Sequence, residues 1–343
     1  MQELNKQDHF KLSKQEICNL IYTDKHIQFL LFFLMKEDKG PEFESLYKHE
    51  IDRLYLLYFL VTPLIILSPE TFVTKIKDLL IKNIMQLYRF DEAESIAYFL
   101  PDERYEGCFK GTVTAAQCAL LMLKSCDSLD LVNLPAISNF VKNNQQNDGS
   151  FASSEFKEDT DLRSFYSSLL VLKLTDSIDS LDREKALNYL KQLQNYDGGY
   201  VFSQDCTESH AGATFCAALS LTLLGEEIPI KTKKFVMSRR SLFSGKFNGR
   251  PCKDPCSCYL FFNGSVIDQF YHFASEKDRF YLLNEISEAQ DEQFGGMGKN
   301  GDYLPDPLHT FASIFSLKTF FPEIFENVQI DTKIGSVEII KND

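Results

Sequence analysis

A short turn built around glycine recurs along the chain every 40 to 50 residues. It reads QNDGSF at Gly149, NYDGGY at Gly198, FSGKF at Gly245 and QFGGM at Gly295, and EGCF at Gly107 resembles a weaker copy. A repeat of this length is typical of chains that stack helical hairpins into arrays or toroids. The repeat therefore limits the possible folds more than any other feature of the sequence.

The segments between the glycines have the patterns of two different kinds of helix. LDREKALNYLKQLQ (181–194) has apolar residues at helical spacing on one side, whereas ATFCAALSLTLL (213–224) is apolar nearly all round. Each repeat thus predicts one outer amphipathic helix, a glycine turn and one inner buried helix. Strand patterns are scarce, so we expect an all-α fold.

Composition and charge exclude several classes of protein. With 343 residues and 44% apolar content the chain can form a substantial core. A net charge of −13 argues against a nucleic-acid-binding protein, which usually carries a basic face. The start lacks a signal-peptide pattern, and the longest apolar run, Leu54 to Leu67, is too short to span a membrane and contains Pro63. We therefore expect a cytoplasmic protein.

Four reactive side chains have nearly the same position within their repeats. Arg163, His210, Cys258 and His309 lie 12 to 14 residues after the glycines at 149, 198, 245 and 295. If the repeats close into a ring, this position lies near the start of each inner helix. The four side chains then converge on one rim of a central cavity.

The segment RPCKDPCSCY (250–259) mixes thiols and cations. Cys256 and Cys258, together with His309 one repeat later, provide the donor set of a zinc site with three protein ligands and one open position. The alternative, two ordinary thiols beside a turn, has about equal weight from the spacing alone.

Four side chains that this ring model brings to the rim can bind a small anion. Arg250, Lys253, His210 and Tyr259 form a group suited to a diphosphate, helped by the positive ends of the inner helices. Taken by themselves, Arg250 and Lys253 fit a solvated turn better.

These motifs together resemble the β subunits of the protein prenyltransferases, most closely those of type I geranylgeranyltransferase. The resemblance rests on ESHAGATFC (208–216), GRPCKDPCSCY (249–259) and PDPLHT (305–310), and it extends from about Lys25 to Leu317. It implies an α/α toroid of six helical hairpins in a single domain, 1–343, with about 1–20 and 325–343 peripheral. It also implies a helical-repeat α subunit as partner.

The resemblance implies roles for individual residues. Cys258 and His309 are expected to bind zinc. The side chains of His210, Arg250, Lys253 and Tyr259 are expected to hold the diphosphate of geranylgeranyl diphosphate. Arg163 matches an arginine near the C-terminal carboxylate of the protein substrate. The implied reaction is zinc-dependent transfer of the geranylgeranyl group to the cysteine of a C-terminal CaaX motif, in substrates such as Rho-type small GTPases.

Two positions near the proposed metal site depart from the family pattern or separate its members. Cys256 stands where the family has a zinc-binding Asp, and Asp254 is the alternative third ligand. Lys299 stands where the farnesyl and Rab-specific enzymes have an Asp that engages magnesium, so Mg²⁺ is expected to be dispensable. Lys299 and Tyr259 are the residues expected to act in catalysis.

The wall that sets isoprenoid length is assigned to Tyr55 and Ala312. In the family, the first position is small in type I enzymes and a tryptophan in farnesyltransferase, and the second is aromatic. A large residue at one wall and a small one at the other can conserve cavity volume.

Three alternatives remain open from the sequence. A farnesyltransferase β subunit is the first, and a non-catalytic helical-repeat scaffold is the second. A terpene cyclase also uses glycine-aromatic repeats, but the chain has neither an Asp-x-Asp-Asp motif nor a tryptophan.

Overall fold

Helices account for just over half of the residues that the structure describes. The structure, a computed structural model, describes residues 13–35, 53–241, 244–271 and 276–340. In chain order the helices are α1 (Lys14–Leu20), α2 (Thr23–Leu34), α3 (Arg53–Leu67), α4 (Pro69–Thr71), α5 (Lys77–Leu87), α6 (Val113–Ser125), α7 (Leu134–Asn143), α8 (Leu162–Leu174), α9 (Arg183–Gln192), α10 (Ala211–Leu223), α11 (Ile230–Ser238), α12 (Cys258–Asp268), α13 (Glu276–Ala289) and α14 (Pro307–Phe320). A π-helical turn, Phe72–Ile76, joins α4 to α5, and short 3-10 turns occupy Glu103–Tyr105, Leu129–Leu131 and Ile178–Ser180.

Six of these helices form a closed inner ring. Each of α3, α6, α8, α10, α12 and α14 packs against the next, and α14 packs against α3 to complete the circle. The remaining long helices, α2, α5, α7, α9, α11 and α13, alternate with them along the chain. The predicted all-α fold and the α/α toroid are confirmed.

The burial of the helices follows from their sequences. In α10 every residue from Ala211 to Leu221 is buried, because the helix touches neighbours on all sides. In α9 the buried side chains are Ala186, Tyr189 and Leu190, which share one face at helical spacing. The apolar patterns therefore decide which helices lie inside.

The repeat glycines join the inner and outer layers. A Cβ atom at Gly198 would lie 2.4 Å from the carbonyl oxygen of Lys231, in the first turn of the next outer helix. A Cβ atom at Gly295 would lie 2.2 Å from the carbonyl oxygen of Lys25 in α2, so the last turn packs on the first outer helix and closes the ring. Both glycines have positive φ, at 89° and 72°, which side chains disfavour.

Gly107 does not form such a junction, contrary to the sequence prediction. A Cβ atom there would meet nothing within 4 Å, and α6 begins only at Val113. Inner helices of the four regular repeats begin 12 or 13 residues after the glycine, at Leu162, Ala211, Cys258 and Pro307. The close approach to a neighbouring backbone is made instead by Gly111, against the carbonyl of Phe99.

Two short antiparallel hairpins complete the described chain. Strands β1 (Tyr88–Asp91) and β2 (Ile96–Phe99) pair with each other, as do β3 (Val328–Asp331) and β4 (Ser336–Ile339). The sequence predicted a peripheral place for residues from about 325 onwards, but the turn of the second hairpin reaches the central cavity. The Tyr58 hydroxyl donates to the carbonyl of Gly335 at 2.6 Å, and the Tyr166 hydroxyl donates to that of Lys333 at 2.7 Å.

Some expectations fall on parts of the chain without a described structure. Residues 1–12 and 341–343 of the expected periphery lie outside the described residues, as does Phe243 of the FSGKF turn. Within the described ranges no helix combines the length and apolar character needed to cross a bilayer.

Candidate active site and metal centre

A cavity of about 810 Å³ occupies the centre of the ring. Its wall is rich in aromatic side chains, which include Tyr55, Phe59, Phe202, Phe215, Phe261 and Phe311. Many of these rings touch one another: Phe261 lies 4.9 Å from Phe311 between ring centroids, and Phe59 lies 5.0 Å from Phe311. Such a surface suits an apolar chain.

The mouth of the cavity lies at the amino-terminal ends of the inner helices. His210 is the N-cap of α10, Arg163 and Cys258 lie in the first turns of α8 and α12, and His309 lies in the first turn of α14. The regular distance from each glycine to its inner helix brings these side chains to one rim. Their predicted position near the starts of the inner helices is therefore observed.

Two thiols and an imidazole meet at this rim. Cys256 Sγ lies 3.0 Å from Cys258 Sγ and 3.2 Å from His309 Nε2, and both thiols are buried. The three donor atoms lie within 4.8 Å of one another. A set of two thiolates and one histidine is a common zinc donor set, so these residues fit a zinc ion with one position left for another ligand.

Asp306 orients the histidine of this cluster, and the sequence prediction missed it. Its carboxylate caps α14 by accepting the His309 backbone N–H at 3.0 Å, and its second oxygen lies 2.5 Å from His309 Nδ1. A carboxylate on one ring nitrogen directs the other nitrogen toward the thiols, as in many metal sites. The signal was present in PDPLHT, because Asp followed directly by Pro is typical of an N-cap residue and the first position of a helix.

The candidate third ligands differ in their surroundings. Asp254 is exposed on the turn before α12 and lies outside the cluster, whereas Cys256 belongs to it. The backbone N–H of Cys256 donates to the carbonyl of Phe247 at 3.1 Å, which anchors the segment.

Protons are shared unevenly within the cluster. The hydrogen bond from Cys258, supported by His309, overcomes burial and lowers the pKa of Cys256 to about 5. The hydrogen bond to Cys256 and burial raise the pKa of Cys258. Burial by itself lowers the pKa of His309, but the bonds to Asp306 and Cys256 outweigh it and raise that pKa to about 9. At neutral pH Cys256 is thus a thiolate beside an imidazolium.

His210 and Tyr259 form a second polar pair at the mouth. Nδ1 of His210 accepts the backbone N–H of Gly212 at 2.9 Å, so neutral His210 carries its proton on Nε2. Nε2 lies 3.2 Å from the Tyr259 hydroxyl oxygen and donates to it, which leaves the hydroxyl proton able to bond a ligand. Burial, and then the charge of Arg250, lower the pKa of His210.

The remaining predicted cations lie farther out. Arg250 is half exposed and donates to Glu208 at 3.0 Å, and Lys253 is exposed on the same turn. Lys299 Nζ lies 5.0 Å from the centroid of the Tyr303 ring, and its carbonyl accepts the Ser257 N–H next to the thiols. None of these three is among the described residues that line the cavity.

The predicted peptide-binding and length-setting residues have different environments. Arg163 lines the cavity, pairs with Asp161 and lies over the ring of Phe202. Tyr55 also lines the cavity and packs on Phe59. Ala312, by contrast, is buried in α14 and is not among the described residues that line the cavity. Its neighbour Phe311 lines the cavity instead.

Comparison with known families identifies the fold. Residues 21–334 match the model of the prenyltransferase alpha-alpha toroid domain. This chain belongs to the prenyltransferase family. The match covers all six inner helices and both polar clusters at the mouth of the cavity.

Within this family, the chain is similar to type-1 geranylgeranyl transferase β subunits. The type-1 geranylgeranyl transferase β subunit of Dictyostelium discoideum is 33% identical over 209 residues, 58% of this chain and 57% of that protein. Its Arabidopsis thaliana counterpart is 28% identical over 317 residues, 84% of this chain and 82% of that protein. The predicted likeness to protein prenyltransferase β subunits, most of all to type I, is confirmed.

A solved structure has the same fold. Candida albicans protein geranylgeranyltransferase-I, determined with geranylgeranyl diphosphate (GGPP), superposes with a TM-score of 0.76 at 23% sequence identity. The superposition covers 92% of this chain and 96% of that one. The family, the relatives and this fold agree with the predicted enzyme class, a protein prenyltransferase.

Proposed function

We propose that this chain is the zinc-binding β subunit of a type I protein geranylgeranyltransferase. It transfers the geranylgeranyl group of geranylgeranyl diphosphate to the cysteine of a C-terminal CaaX motif in proteins such as Rho-type small GTPases. It acts in the cytoplasm as a heterodimer with a helical-repeat α subunit. The observation that carries the proposal is the meeting of a thiol–imidazole cluster and a His–Tyr pair at the mouth of an aromatic cavity.

Cys256, Cys258 and His309 would hold the zinc ion, with Asp306 fixing the orientation of the imidazole. A bound zinc ion supplies positive charge that lowers the pKa of a substrate thiol and makes its thiolate available at neutral pH. Tyr259 and Leu308, the chain neighbours of Cys258 and His309, line the cavity, so the cluster lies beside the space where the substrate cysteine and the lipid diphosphate would meet.

The diphosphate is held by the second polar pair. Tyr259 donates its hydroxyl proton to a phosphate oxygen, and His210 supports the hydroxyl from behind. Arg250 and Lys253, on the turn before α12, add positive charge as the leaving group develops negative charge. Lys299 takes the part that magnesium has in the farnesyl enzymes, and Arg163 receives the C-terminal carboxylate of the protein substrate.

A farnesyltransferase β subunit is the second candidate, and one observation favours it. Tyr55 projects a large ring into the cavity wall, at the position where farnesyltransferase has a tryptophan. A bulky ring there shortens the space for an isoprenoid. Lys299 favours the type I enzyme instead, because the farnesyl enzymes have an Asp at that position.

The test is an assay of the reconstituted enzyme. The chain is co-expressed with candidate α subunits, zinc is measured in the purified complex, and both lipid diphosphates are assayed with and without magnesium. We expect one zinc per complex and magnesium-independent turnover of geranylgeranyl diphosphate, both lost in His309→Ala. Magnesium-dependent use of farnesyl diphosphate would favour the second candidate. An active complex without zinc would refute the proposed chemistry, and a zinc-free, inactive one would favour the scaffold.

A further inference from the structure

Glu285, on α13, is a buried carboxyl group behind the metal-binding segment. Its exposed fraction is 4%, and its Oε2 accepts the backbone N–H of Phe247 at 3.3 Å. Its Oε1 has no hydrogen-bond partner among the described residues. A carboxyl group in such a place costs stability, and burial raises the pKa of Glu285 well above its usual range.

The other repeats have an aromatic ring at this position. The residue lies four positions after the one that meets the repeat glycine, and the corresponding residues in the other three junctions are Phe29, Tyr189 and Phe235. Each of these three rings is 3% exposed. Packing between the layers therefore favours an apolar ring, and Glu285 needs another explanation.

The explanation lies in a backbone N–H that must find a partner. The N–H of Tyr200 donates to the Thr214 hydroxyl at 3.0 Å, and that of Met297 donates to the Thr310 hydroxyl at 2.9 Å. Both threonines are the fourth residue of their inner helix, and in α12 that residue is Phe261.

Phe261 cannot act as an acceptor, since its ring belongs to the aromatic wall of the cavity. A buried N–H without a partner is costly. The outer helix therefore supplies the acceptor that the inner helix lacks, and Glu285 is that acceptor.

This bond leads directly to the thiol cluster. The Phe247 N–H donates to the Glu285 carboxyl, and the Phe247 carbonyl accepts the Cys256 N–H at 3.1 Å. Cys256 Sγ then contacts both Cys258 and His309. A substitution at Glu285 would therefore affect the position of Cys256 through one intervening residue, Phe247. Cys256 is the residue that stands where the family has an aspartate.

We propose that Glu285 is a positioning residue that holds the Phe247–Cys256 segment in place for metal binding, an inference that rests on the proposed zinc site. Its carboxyl oxygen replaces the threonine hydroxyl used in two other repeats. Its cost in stability is retained because the metal site needs a fixed Cys256.

The test compares E285L, E285Q and wild type in the full-length chain, co-expressed with its α subunit. Zinc affinity is measured by competition with a chromophoric chelator, and the cobalt-loaded protein is examined for thiolate-to-metal absorption. E285L removes the acceptor, so we expect about a tenfold loss of zinc affinity and a weakened absorption band. E285Q keeps a neutral acceptor of the same shape and should stay within about twofold of wild type.

Two controls separate positioning from folding. The metal-free E285L protein should melt close to wild type, because removal of a buried carboxyl group offsets the loss of the acceptor for the Phe247 N–H. Glu288→Gln, an exposed neighbour on α13 that pairs with Lys246, should leave zinc affinity unchanged. E285L combined with F261T, which restores the hydroxyl of the other repeats, should recover affinity.

The outcomes distinguish this inference from the proposed function. Wild-type affinity in E285L, or equal losses in E285L and E285Q, would overturn the inference alone. A wild-type complex that binds no zinc would overturn both. If E285L fails to accumulate, E285M replaces it in the test. The same loss of zinc affinity is expected, and wild-type affinity in E285M would overturn the inference.

Discussion

Cys256 has an unusual pKa because two neighbours donate hydrogen bonds to it. With Cys258 and His309 both directed at its sulfur, the pKa of Cys256 falls to about 5, while that of His309 rises to about 9. A lowered thiol pKa means that the thiolate persists as the pH falls, until the pH approaches that value. Between these two values the metal-free cluster therefore holds a thiolate and an imidazolium.

We predict a flat pH profile for alkylation of Cys256 in the chelator-treated protein. From pH 6 to pH 8 the rate with iodoacetamide should change less than about threefold, whereas an ordinary thiol changes on the order of 50-fold. Peptide-resolved mass spectrometry measures the rate at this one residue. Cys258→Ala, which removes the hydrogen bond that lowers this pKa most, should make the profile steeper, and a steep profile in the wild-type protein would contradict the assigned hydrogen bonds.

At the scale of elements, the glycine turns connect the two layers of helices. Gly198 meets the backbone of Lys231 so closely that any side chain would force the turn and α11 apart. Gly225, directly after the end of the inner helix α10, has a similar positive φ of 78° but open space around it. Comparison of alanine substitutions at these two glycines therefore separates the free-energy cost of backbone strain from that of a steric clash.

We predict that Gly198→Ala lowers the free energy of unfolding by at least about 3 kcal/mol, from strain and clash together. Gly225→Ala has only the strain and should cost about 1 kcal/mol. Urea denaturation followed by circular dichroism measures both. Equal losses in the two variants would show that the close approach to Lys231 contributes nothing.

At the scale of the whole molecule, the β3–β4 hairpin closes the cavity opposite its mouth. Ile334 and Gly335 line the cavity, and hydrogen bonds tie the hairpin to several inner helices, among them one from Ser125 at the end of α6 to the carbonyl of Val337. The reactive rim lies at the other ends of the same helices. Hence the two ends of the ring can be perturbed separately.

We predict that the double variant Tyr58→Phe and Tyr166→Phe loosens the hairpin without weakening zinc binding. Each change removes one hydrogen bond to the hairpin and should cost about 1 kcal/mol. Hydrogen exchange should accelerate at residues 328–339 and stay unchanged at 256–259. Tyr189→Phe, a buried tyrosine away from the hairpin, is the control, and unchanged exchange in the double variant would contradict the assigned closure.

Local patterns in the sequence predicted much of this molecule. The period of the glycine turns and the two kinds of apolar pattern depend only on residues that are near one another in the sequence. These patterns were sufficient to predict the helical hairpins. The constant distance from Gly198 or Gly245 to the next inner helix also placed His210 and Cys258 on one rim. The hairpin at 328–339 was missed although VQID and SVEI alternate in polarity, because two four-residue strands give a weak signal.

Other features were decided only by the tertiary structure. By sequence, Asp254 and Cys256 were both possible ligands, and the path of the backbone past Phe247 puts Cys256 among the other donors and Asp254 on the surface. Closure of the ring depends on Gly295 meeting Lys25, about 270 residues away. The sequence by itself therefore determined the hairpins and their shared rim, since these follow from periodicity, whereas long-range contacts decided which candidate ligands meet, how the ring closes and which backbone group Glu285 bonds.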